Sequence, residues 1–170
     1  MRVRPAIPED AAGIARVHVE SWNAAYRGLI PDEIIDARTV DVRLEQWASA
    51  VANPHRIIYV ACDEGGEVHG FASALLFDEP DRGFQSYLQT LYVSSDVWGR
   101  GIGRELVRAI CGRLCADGAK NMALHALRLN PRARAFYEGL GARLVPDGIT
   151  HEAGKYDQVV YGFDDIASIA

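Results

Sequence analysis

Residues 91–106 read Leu-Tyr-Val-Ser-Ser-Asp-Val-Trp-Gly-Arg-Gly-Ile-Gly-Arg-Glu-Leu, and this stretch decides the fold. It combines an apolar strand, a short loop and three alternating glycines that open an amphipathic helix. Gly99, Gly101 and Gly103 let the backbone approach a ligand closely, and the N–H groups and dipole of a helix N-terminus favour an anion such as a diphosphate. Arg100 and Arg104 can add charge there. The stretch predicts an anion-binding junction, although a plain glycine turn has the same pattern.

Two common nucleotide-binding motifs do not match this junction. The chain has no Gly-x4-Gly-Lys-Ser/Thr run, and its glycines do not have the Gly-x-Gly-x-x-Gly spacing. A dinucleotide-binding fold would also alternate strands and helices from its start, whereas three successive strands are predicted before this loop. The spacing therefore argues against both kinds of nucleotide site.

The residues before the junction predict two helices and a three-strand meander. A strand at 3–6 precedes a helix at 10–26, whose apolar positions recur at helical spacing. The second helix begins after its cap Thr39 and ends before Pro54, with an apolar stripe made of Val40, Leu44, Trp47, Ala48 and Val51. Gly70 is expected to mark a bulge. The strands are predicted at 57–62, 68–77 and 84–93, with turns at 63–66 and 78–83.

The residues after the junction continue as helices and strands in turn. Helical periodicity begins at Ile102 and ends near Gly118, and a short strand follows at 122–127. Asn130 and Pro131 supply the cap and first-turn proline of another helix, which Gly141 ends. Two last strands at 143–149 and 155–163 complete an α+β domain around one mixed sheet.

Composition bounds the size of the protein and its partners. The 170 residues, 49% of them apolar, fit one domain spanning residues 1–170. The net charge of −5 argues against nucleic-acid binding, and the apolar runs are too short for a membrane span, so we expect neither partner. The three cysteines lie in apolar segments, which favours reduced thiols in the cytoplasm.

A second segment makes a family resemblance specific. Residues 130–142 read Asn-Pro-Arg-Ala-Arg-Ala-Phe-Tyr-Glu-Gly-Leu-Gly-Ala. Together with residues 91–106 they resemble motifs A and B of the GNAT acetyltransferases, and the predicted order of elements is similar to that family's fold over nearly the whole chain. The resemblance implies a mixed, mostly antiparallel sheet flanked by helices on both faces, and an N-acetyltransferase that uses acetyl-CoA.

The resemblance also implies roles for individual residues. The backbone of Leu91, Tyr92 and Val93 would pair with the pantetheine arm of the coenzyme, which Asn130 would line. The pyrophosphate would lie on the amides of Gly99, Arg100, Gly101, Ile102, Gly103 and Arg104. Tyr137 would be the catalytic acid that protonates the departing thiolate; this role is favoured over the alternative of an aromatic core residue. The chain departs from the family at Trp98, where Gln or Arg usually begins the loop.

Transfer to an amine needs groups that the sequence supplies only in part. A primary ammonium with a pKa near ~10.4 must lose a proton before it attacks a thioester. Residues 86–90 read Ser-Tyr-Leu-Gln-Thr without a carboxylate, so the base is unassigned. His125 and Glu20 are candidates, but hydrogen bonding at the sheet and an ion-paired surface are the more ordinary roles, and His18 is expected in the core. The backbone N–H of Val93 is the expected donor to the carbonyl oxygen.

The acceptor is expected beside the end of the first helix. Trp22 and Tyr26 lie four residues apart and can form one aromatic wall, although Trp22 also falls on the apolar stripe. The strand around Tyr87 and Gln89 would face this wall. A polyamine, an aminoglycoside, an amino acid or a protein N-terminus all fit, so the expected partner is a small-molecule or peptide amine. The net negative charge favours a cationic one.

Two other classes of function are compatible with the same motifs. A non-catalytic acyl-CoA-binding sensor would keep the glycine loop but transfer nothing, and a partner-binding domain would bind no coenzyme. The presence of both Asn130 and Tyr137 favours the enzyme. We expect no metal, because no ligand set has a suitable spacing. The family resemblance is compatible with a homodimer.

Overall fold

The computed structural model describes residues 1–150 and 157–170 as a seven-stranded sheet with helices on both faces. The strands are β1 (Arg2–Pro5), β2 (Ile57–Cys62), β3 (Val68–Asp81), β4 (Phe84–Val93), β5 (Met122–Leu127), β6 (Arg143–Thr150) and β7 (Gln158–Phe163). The helices are α1 (Ala11–Tyr26), α2 (Asp32–Asp36), α3 (Val40–Ala52), α4 (Ile102–Ala116) and α5 (Pro131–Gly139). The predicted α+β architecture is therefore confirmed.

The sheet is mostly antiparallel, with one short parallel pair at its centre. The strand order is β1-β2-β3-β4-β5-β7-β6, and only β4 and β5 run parallel. Their pairing joins Tyr87 with Ala123 and Leu88 with Leu124. A β-bulge follows at once, because Ser73 pairs with Thr90 while the next residue of β3 pairs with Leu88. Beyond this point β4 and β5 separate, and the edge of β4 at residues 89–93 has no strand partner on the β5 side.

α4 covers one face of the sheet. Its side chains Leu106, Ile110 and Leu114 recur at helical spacing and are fully buried. They belong to the same apolar cluster as Leu88 of β4 and Leu124 of β5. Burial of each such side chain stabilises the fold by roughly 1.5–3 kcal/mol. This packing holds the glycine-rich start of α4 beside the gap between the two strands.

α1 and α3 cover the opposite face. Ile14 and Val17 of α1 and Trp47 of α3 pack in a second apolar cluster around Phe71 of β3. Tyr92 of β4 packs against the same cluster. The C-terminal end of α1 therefore reaches the gap from the face opposite α4.

A buried ion pair joins β1 to the start of α1. The Asp10 carboxylate accepts hydrogen bonds from both terminal nitrogens of Arg4, at 2.6 and 2.9 Å, and from the Ile7 amide at 2.8 Å. Burial alone would raise the pKa of Asp10, but the hydrogen bonds from Arg4 and Ile7 outweigh it, so this pKa lies below its usual value. The carboxylate is thus charged and satisfied at neutral pH.

Several element boundaries agree with the sequence pattern. β2, β4 and β5 have the predicted bounds, and the predicted caps bind as expected. The Thr39 hydroxyl accepts from the Val42 amide, and the Asn130 side chain accepts from the Ala133 amide at 3.0 Å. The bulge expected at Gly70 lies next to it, where His69 is the extra residue between paired positions. The predicted start of the last strand, at 155–156, lies outside the described residues.

Two predictions about the first half of the chain are wrong, and one short helix was not predicted. β3 extends to Asp81, so the turn expected at 78–83 is confined to Arg82 and Gly83, both with positive φ. The apolar stripe of α3 is only partly buried, because Val40, Leu44 and Ala48 are exposed. α2 has five residues, too few to produce a helical period, and was not predicted.

The cysteines are free thiols, and two of them lie in the core. Cys62 and Cys111 are free and buried, and burial raises the pKa of Cys111 to about 12. In the described part of the chain, no helix has the length and apolar character needed to cross a bilayer.

Candidate active site

A cleft of about 620 Å³ opens where β4 and β5 separate. One wall is the unpaired edge of β4, and the other comes from the end of β5 and the first turns of α5. The start of α4 closes one end, and the last turn of α1 closes the other. The predicted residues that line the cleft are Tyr26, Gln89, Leu91, Tyr92, Val93, Gly99, Gly101, Ile102, Gly103, Arg104, Asn130 and Tyr137. Trp22, Tyr87 and Arg100 are not among the lining residues.

The glycine-rich loop presents backbone donors to the cleft. Gly99 and Gly101 have φ values of +78° and +81°, which side chains rarely adopt, and a Cβ at either position would meet no atom within 4 Å. Within the described residues, none of the six amides from 99 through 104 has a protein acceptor. Unpaired amides at a helix N-terminus fit a diphosphate group, with Arg104 beside them.

Gly103 also has a packing role. Its backbone is ordinary helix, but a Cβ there would lie 3.2 Å from the ring of Phe136 on α5. The first turn of α4 and the last turns of α5 therefore meet at Gly103. Gly103 also lines the cleft, so the expected approach of a ligand to its backbone stays a prediction.

Trp98 takes a structural role where the family usually has Gln or Arg. Its indole N–H donates to the Val93 carbonyl at 2.7 Å. The guanidinium of Arg132, in the first turn of α5, stacks on the indole with its central carbon 3.3 Å from the ring centroid. Both side chains line the cleft, so they connect its two walls. Arg132 was missed because nothing in the sequence indicates which residue a tryptophan will stack against.

Tyr137 projects from α5 into the middle of the cleft wall. Its side chain is 9% exposed and packs beside Phe136 and Tyr161. No described residue forms a hydrogen bond with its hydroxyl. Burial, and then the nearby hydroxyls of Tyr26 and Tyr87, raises the pKa of Tyr137 above its usual value. The phenol is therefore neutral and able to donate a proton.

The three candidate bases have very different surroundings. His125 lines the cleft, and its Nδ1 lies 2.6 Å from the Tyr87 hydroxyl. Burial, and then the charges of Arg43 and Arg38, lowers the pKa of His18 to about 3, and its Nδ1 accepts from the Trp47 indole at 3.0 Å. Glu20 is exposed and pairs with Arg16 at 3.2 Å. His18 therefore lies in the core and Glu20 in a surface ion pair, as expected from the sequence.

The aromatic wall expected for the acceptor exists, but only part of it faces the cleft. The rings of Trp22 and Tyr26 lie 4.3 Å apart, and Tyr26 alone of the two lines the cleft. The pKa of Tyr26 lies above its usual value, because the effect of burial outweighs the opposing interactions of its hydroxyl with Tyr92 and Asn130. Gln89 lines the cleft and accepts a hydrogen bond from Arg56.

One group of side chains outside the cleft resembles a metal site. Ligand atoms of Asp63, Glu67 and His69 lie within 4.8 Å of one another at the β2–β3 hairpin. His69 already contacts the Asp63 carboxylate at 3.3 Å, and Arg16 pairs with Glu67 at 3.0 Å. Ion pairing accounts for these contacts.

Comparison with known proteins agrees with this geometry. Residues 17–142 match the acetyltransferase (GNAT) family. The chain is 28% identical over 168 residues to the uncharacterized N-acetyltransferase YuaI of Bacillus subtilis, covering 98% of this chain and 95% of that protein. It is 27% identical over 143 residues to an aminoglycoside N(6′)-acetyltransferase type 1 of Stenotrophomonas maltophilia, covering 82% and 84%.

A solved structure shows the same fold. The PaiA N-acetyltransferase of Thermoplasma acidophilum, in complex with coenzyme A, superposes with a TM-score of 0.73 at 18% identity, covering 96% of this chain and 98% of that one. The family match spans most of the chain and includes both the glycine-rich loop and α5. The chain therefore belongs to the GNAT family and is an acetyl-CoA-dependent N-acetyltransferase.

Proposed function

We propose that this enzyme transfers the acetyl group of acetyl-CoA directly to a primary amine of a small molecule. The observation that carries the proposal is the arrangement along one cleft. The unpaired amides of the glycine-rich loop line it together with Tyr137 and Tyr26, and the Tyr26 and Tyr137 hydroxyls are close enough to influence each other's charge. A thioester held between the loop and Tyr137 would be open to attack from the side of Tyr26.

The chain's own groups suit the binding of the donor. The amides of residues 99–104 would hold the pyrophosphate, and the unpaired edge of β4 would pair with the amide-containing arm. The Val93 carbonyl already accepts from Trp98 at 2.7 Å and from the Ser21 hydroxyl at 3.3 Å, so Val93 contributes its N–H only. A strand residue directs its N–H and C=O to the same side, which places this N–H on the cleft side as well.

Bound acetyl-CoA supplies the acetyl thioester, and the protein stabilises the charges that develop. The amine nitrogen forms a bond to the carbonyl carbon while the carbon–sulfur bond breaks. The Val93 N–H donates to the carbonyl oxygen as it becomes negative. Tyr137 donates its proton to the departing sulfur and regains one from the attacking nitrogen, which loses its second proton as the amide forms; the raised pKa of Tyr137 keeps the phenol protonated before and after transfer. The proton lost by the ammonium passes to water or to a nearby base such as His125.

The relatives support a small acceptor without identifying it. One of them is named an aminoglycoside N(6′)-acetyltransferase, which acetylates an amine of a small molecule. The cleft volume of about 620 Å³ suits a coenzyme arm together with a small amine. A homodimer stays a prediction.

The test is thiol release from acetyl-CoA in the presence of a panel of primary amines. We expect at least one amine to stimulate release, and Tyr137→Phe to lower kcat by roughly 10²- to 10⁴-fold with little change in the Kd for acetyl-CoA. The control is Tyr59→Phe on β2, which removes a hydroxyl from a residue that does not line the cleft. Normal turnover in Tyr137→Phe would remove Tyr137 from the mechanism. Tight coenzyme binding without transfer to any amine would favour the acyl-CoA sensor.

A further inference from the structure

Two guanidinium groups on the acceptor side lack a carboxylate partner. Arg38 lies between α2 and α3, and Arg43 lies near the start of α3. Arg38 donates to the Ile34 carbonyl and Arg43 to the Gln46 side chain, both at 2.7 Å. Among the described residues, no carboxylate lies within ion-pair distance of either, although nearby Arg27 pairs with two aspartates. Asp36, two residues before Arg38, pairs with Arg27 instead.

Two buried N–H groups in the same place also lack acceptors. The Nε of Arg43 and the indole nitrogen of Trp22 are both buried without a hydrogen-bond partner. Arg38 stacks on the Trp22 ring at 4.1 Å from its centroid, so the cation and the unpaired indole adjoin each other. An unmade hydrogen bond of a buried group costs about 1–3 kcal/mol. Folding alone gives no reason to keep two such donors beside two cations.

The cluster has a net positive charge that would attract an anion. Burial, and then the charge of Arg38, lowers the pKa of Arg43. Burial and the same two arginines keep His18 neutral. Tyr92 packs beside them and is neutral too, because burial raises its pKa well above its usual value. Nothing described in the cluster neutralises the two positive charges.

Arg38, Arg43 and Trp22 do not line the cleft themselves, but the cluster adjoins it through Tyr26. Tyr26 lines the cleft, and its ring centroid lies 4.3 Å from that of Trp22. The guanidinium of Arg38 stacks on the other ring, that of Trp22. Burial raises the pKa of Tyr26 and of Tyr92, which also lines the cleft, and the charges of Arg38 and Arg43 respectively oppose part of that rise, so each arginine acts on a cleft residue. An acceptor whose amine reaches the thioester past Tyr26 would therefore have its far end near the two guanidiniums.

We propose that the acceptor is a primary amine that also carries an anionic oxygen group, a carboxylate or a phosphate, bound by Arg38 and Arg43. Guanidinium groups bind such oxygens through paired, charge-assisted hydrogen bonds. This inference rests on the proposed function and names the substrate class of that same cleft. An anionic acceptor differs from the cationic acceptor that the net charge of the chain favours. It also differs from the polycationic aminoglycosides.

The test compares matched amines of equal chain length. Each straight-chain primary amine is assayed in four forms, which end in a carboxylate, a phosphate, a methyl group or a second amine, and common amino acids are assayed beside their amides. We expect kcat/KM to be at least about tenfold higher for an anionic form than for the uncharged form. The preferred anion distinguishes carboxylate from phosphate. Equal or better activity with the diamines would overturn this inference and leave the proposed function standing. Coenzyme binding without acetylation of any amine would overturn both.

Variants then assign the preference to the two arginines. Arg38→Gln and Arg43→Gln should each lower the ratio of kcat/KM for the anionic amine to that for its uncharged counterpart by roughly tenfold. This ratio does not depend on the fraction of enzyme that is folded, so a loss of stability cannot imitate the effect. Arg27→Gln is the matched control, because Asp32 and Asp36 already neutralise Arg27. An unchanged ratio in both test variants, or an equal fall in the control, would show that the anion binds elsewhere.

Discussion

At the scale of the residue, Gly101 and Gly103 are alike in the sequence but differ in what they do. Gly101 has a positive φ and faces open space in the cleft, whereas Gly103 has helical geometry and touches Phe136. Only the first therefore requires glycine for its backbone conformation. The same reasoning separates Tyr26, which lines the cleft, from Trp22, which reaches the cleft only through Tyr26.

We expect Gly101→Val to abolish tight binding of acetyl-CoA. A β-branched side chain in a left-handed conformation is strained by about 1–2 kcal/mol, and this one would fill the space in front of the amides. Gly118→Val is the control, because Gly118 has a φ of +96° and open surroundings but lies at the far end of α4. Calorimetric titration and thermal melting separate the effects: both variants should lose stability, and only Gly101→Val should lose the coenzyme. Equal affinity in the two would remove the loop from the coenzyme site.

At the scale of the element, the ion pair between Arg4 and Asp10 fixes the connection from β1 to α1. α1 in turn carries Tyr26 to the cleft and Ser21 to the Val93 carbonyl. Loss of this ion pair should therefore disturb the acceptor end of the cleft more than the coenzyme end, because α1 packs on one face of the sheet and α4 on the other.

We expect Asp10→Asn to destabilise the fold by about 2 kcal/mol at pH 7, because a hydrogen-bonded carboxylate is replaced by a neutral amide. The native pKa of Asp10 is lowered, so the carboxylate stabilises the fold fully at pH values above its unfolded pKa of about 3.9. The advantage of the parent protein should therefore be constant above about pH 5 and shrink as the pH falls below 4. Urea unfolding across this range measures it. Asp117→Asn, in an exposed pair with Arg113, should cost no more than about 0.5 kcal/mol. A difference that grows at low pH would contradict the assignment.

At the scale of the whole molecule, the coenzyme should join the two walls of the cleft and so stabilise the entire fold. β4 and β5 share only two paired positions, so a ligand that contacts both α4 and α5 adds contacts across the gap. At an acetyl-CoA concentration about 100 times its Kd, we expect the free energy of unfolding to rise by about 2.7 kcal/mol, which corresponds to an increase of several degrees in Tm. Gly101→Val should show no such rise. A parent protein whose Tm does not respond to millimolar acetyl-CoA would overturn both the enzyme and the sensor interpretation.

The sequence predicts the frame of the molecule better than its acceptor site. β4, β5 and the caps at Thr39 and Asn130 could be predicted because local patterns and turn residues determine them. The proximity of Tyr87 to His125 could not, because it depends on the parallel register of β4 and β5. The role of Arg38 could not be predicted for a related reason. It lies in the connection between α2 and α3 and contacts Trp22 only through tertiary packing.

The stacking of Arg132 on Trp98 also gives the enzyme an optical signal of its own. Of the three tryptophans, only Trp98 lines the cleft; Trp47 is buried in the core and Trp22 lies beneath Arg38. An indole under a cation at 3.3 Å has an environment that any occupant of this end of the cleft must change. Because Trp22 lies in the Arg38 cluster, a Trp22→Phe variant would leave Trp98 to report on occupancy at the glycine loop, separately from events at the acceptor end and without an added label.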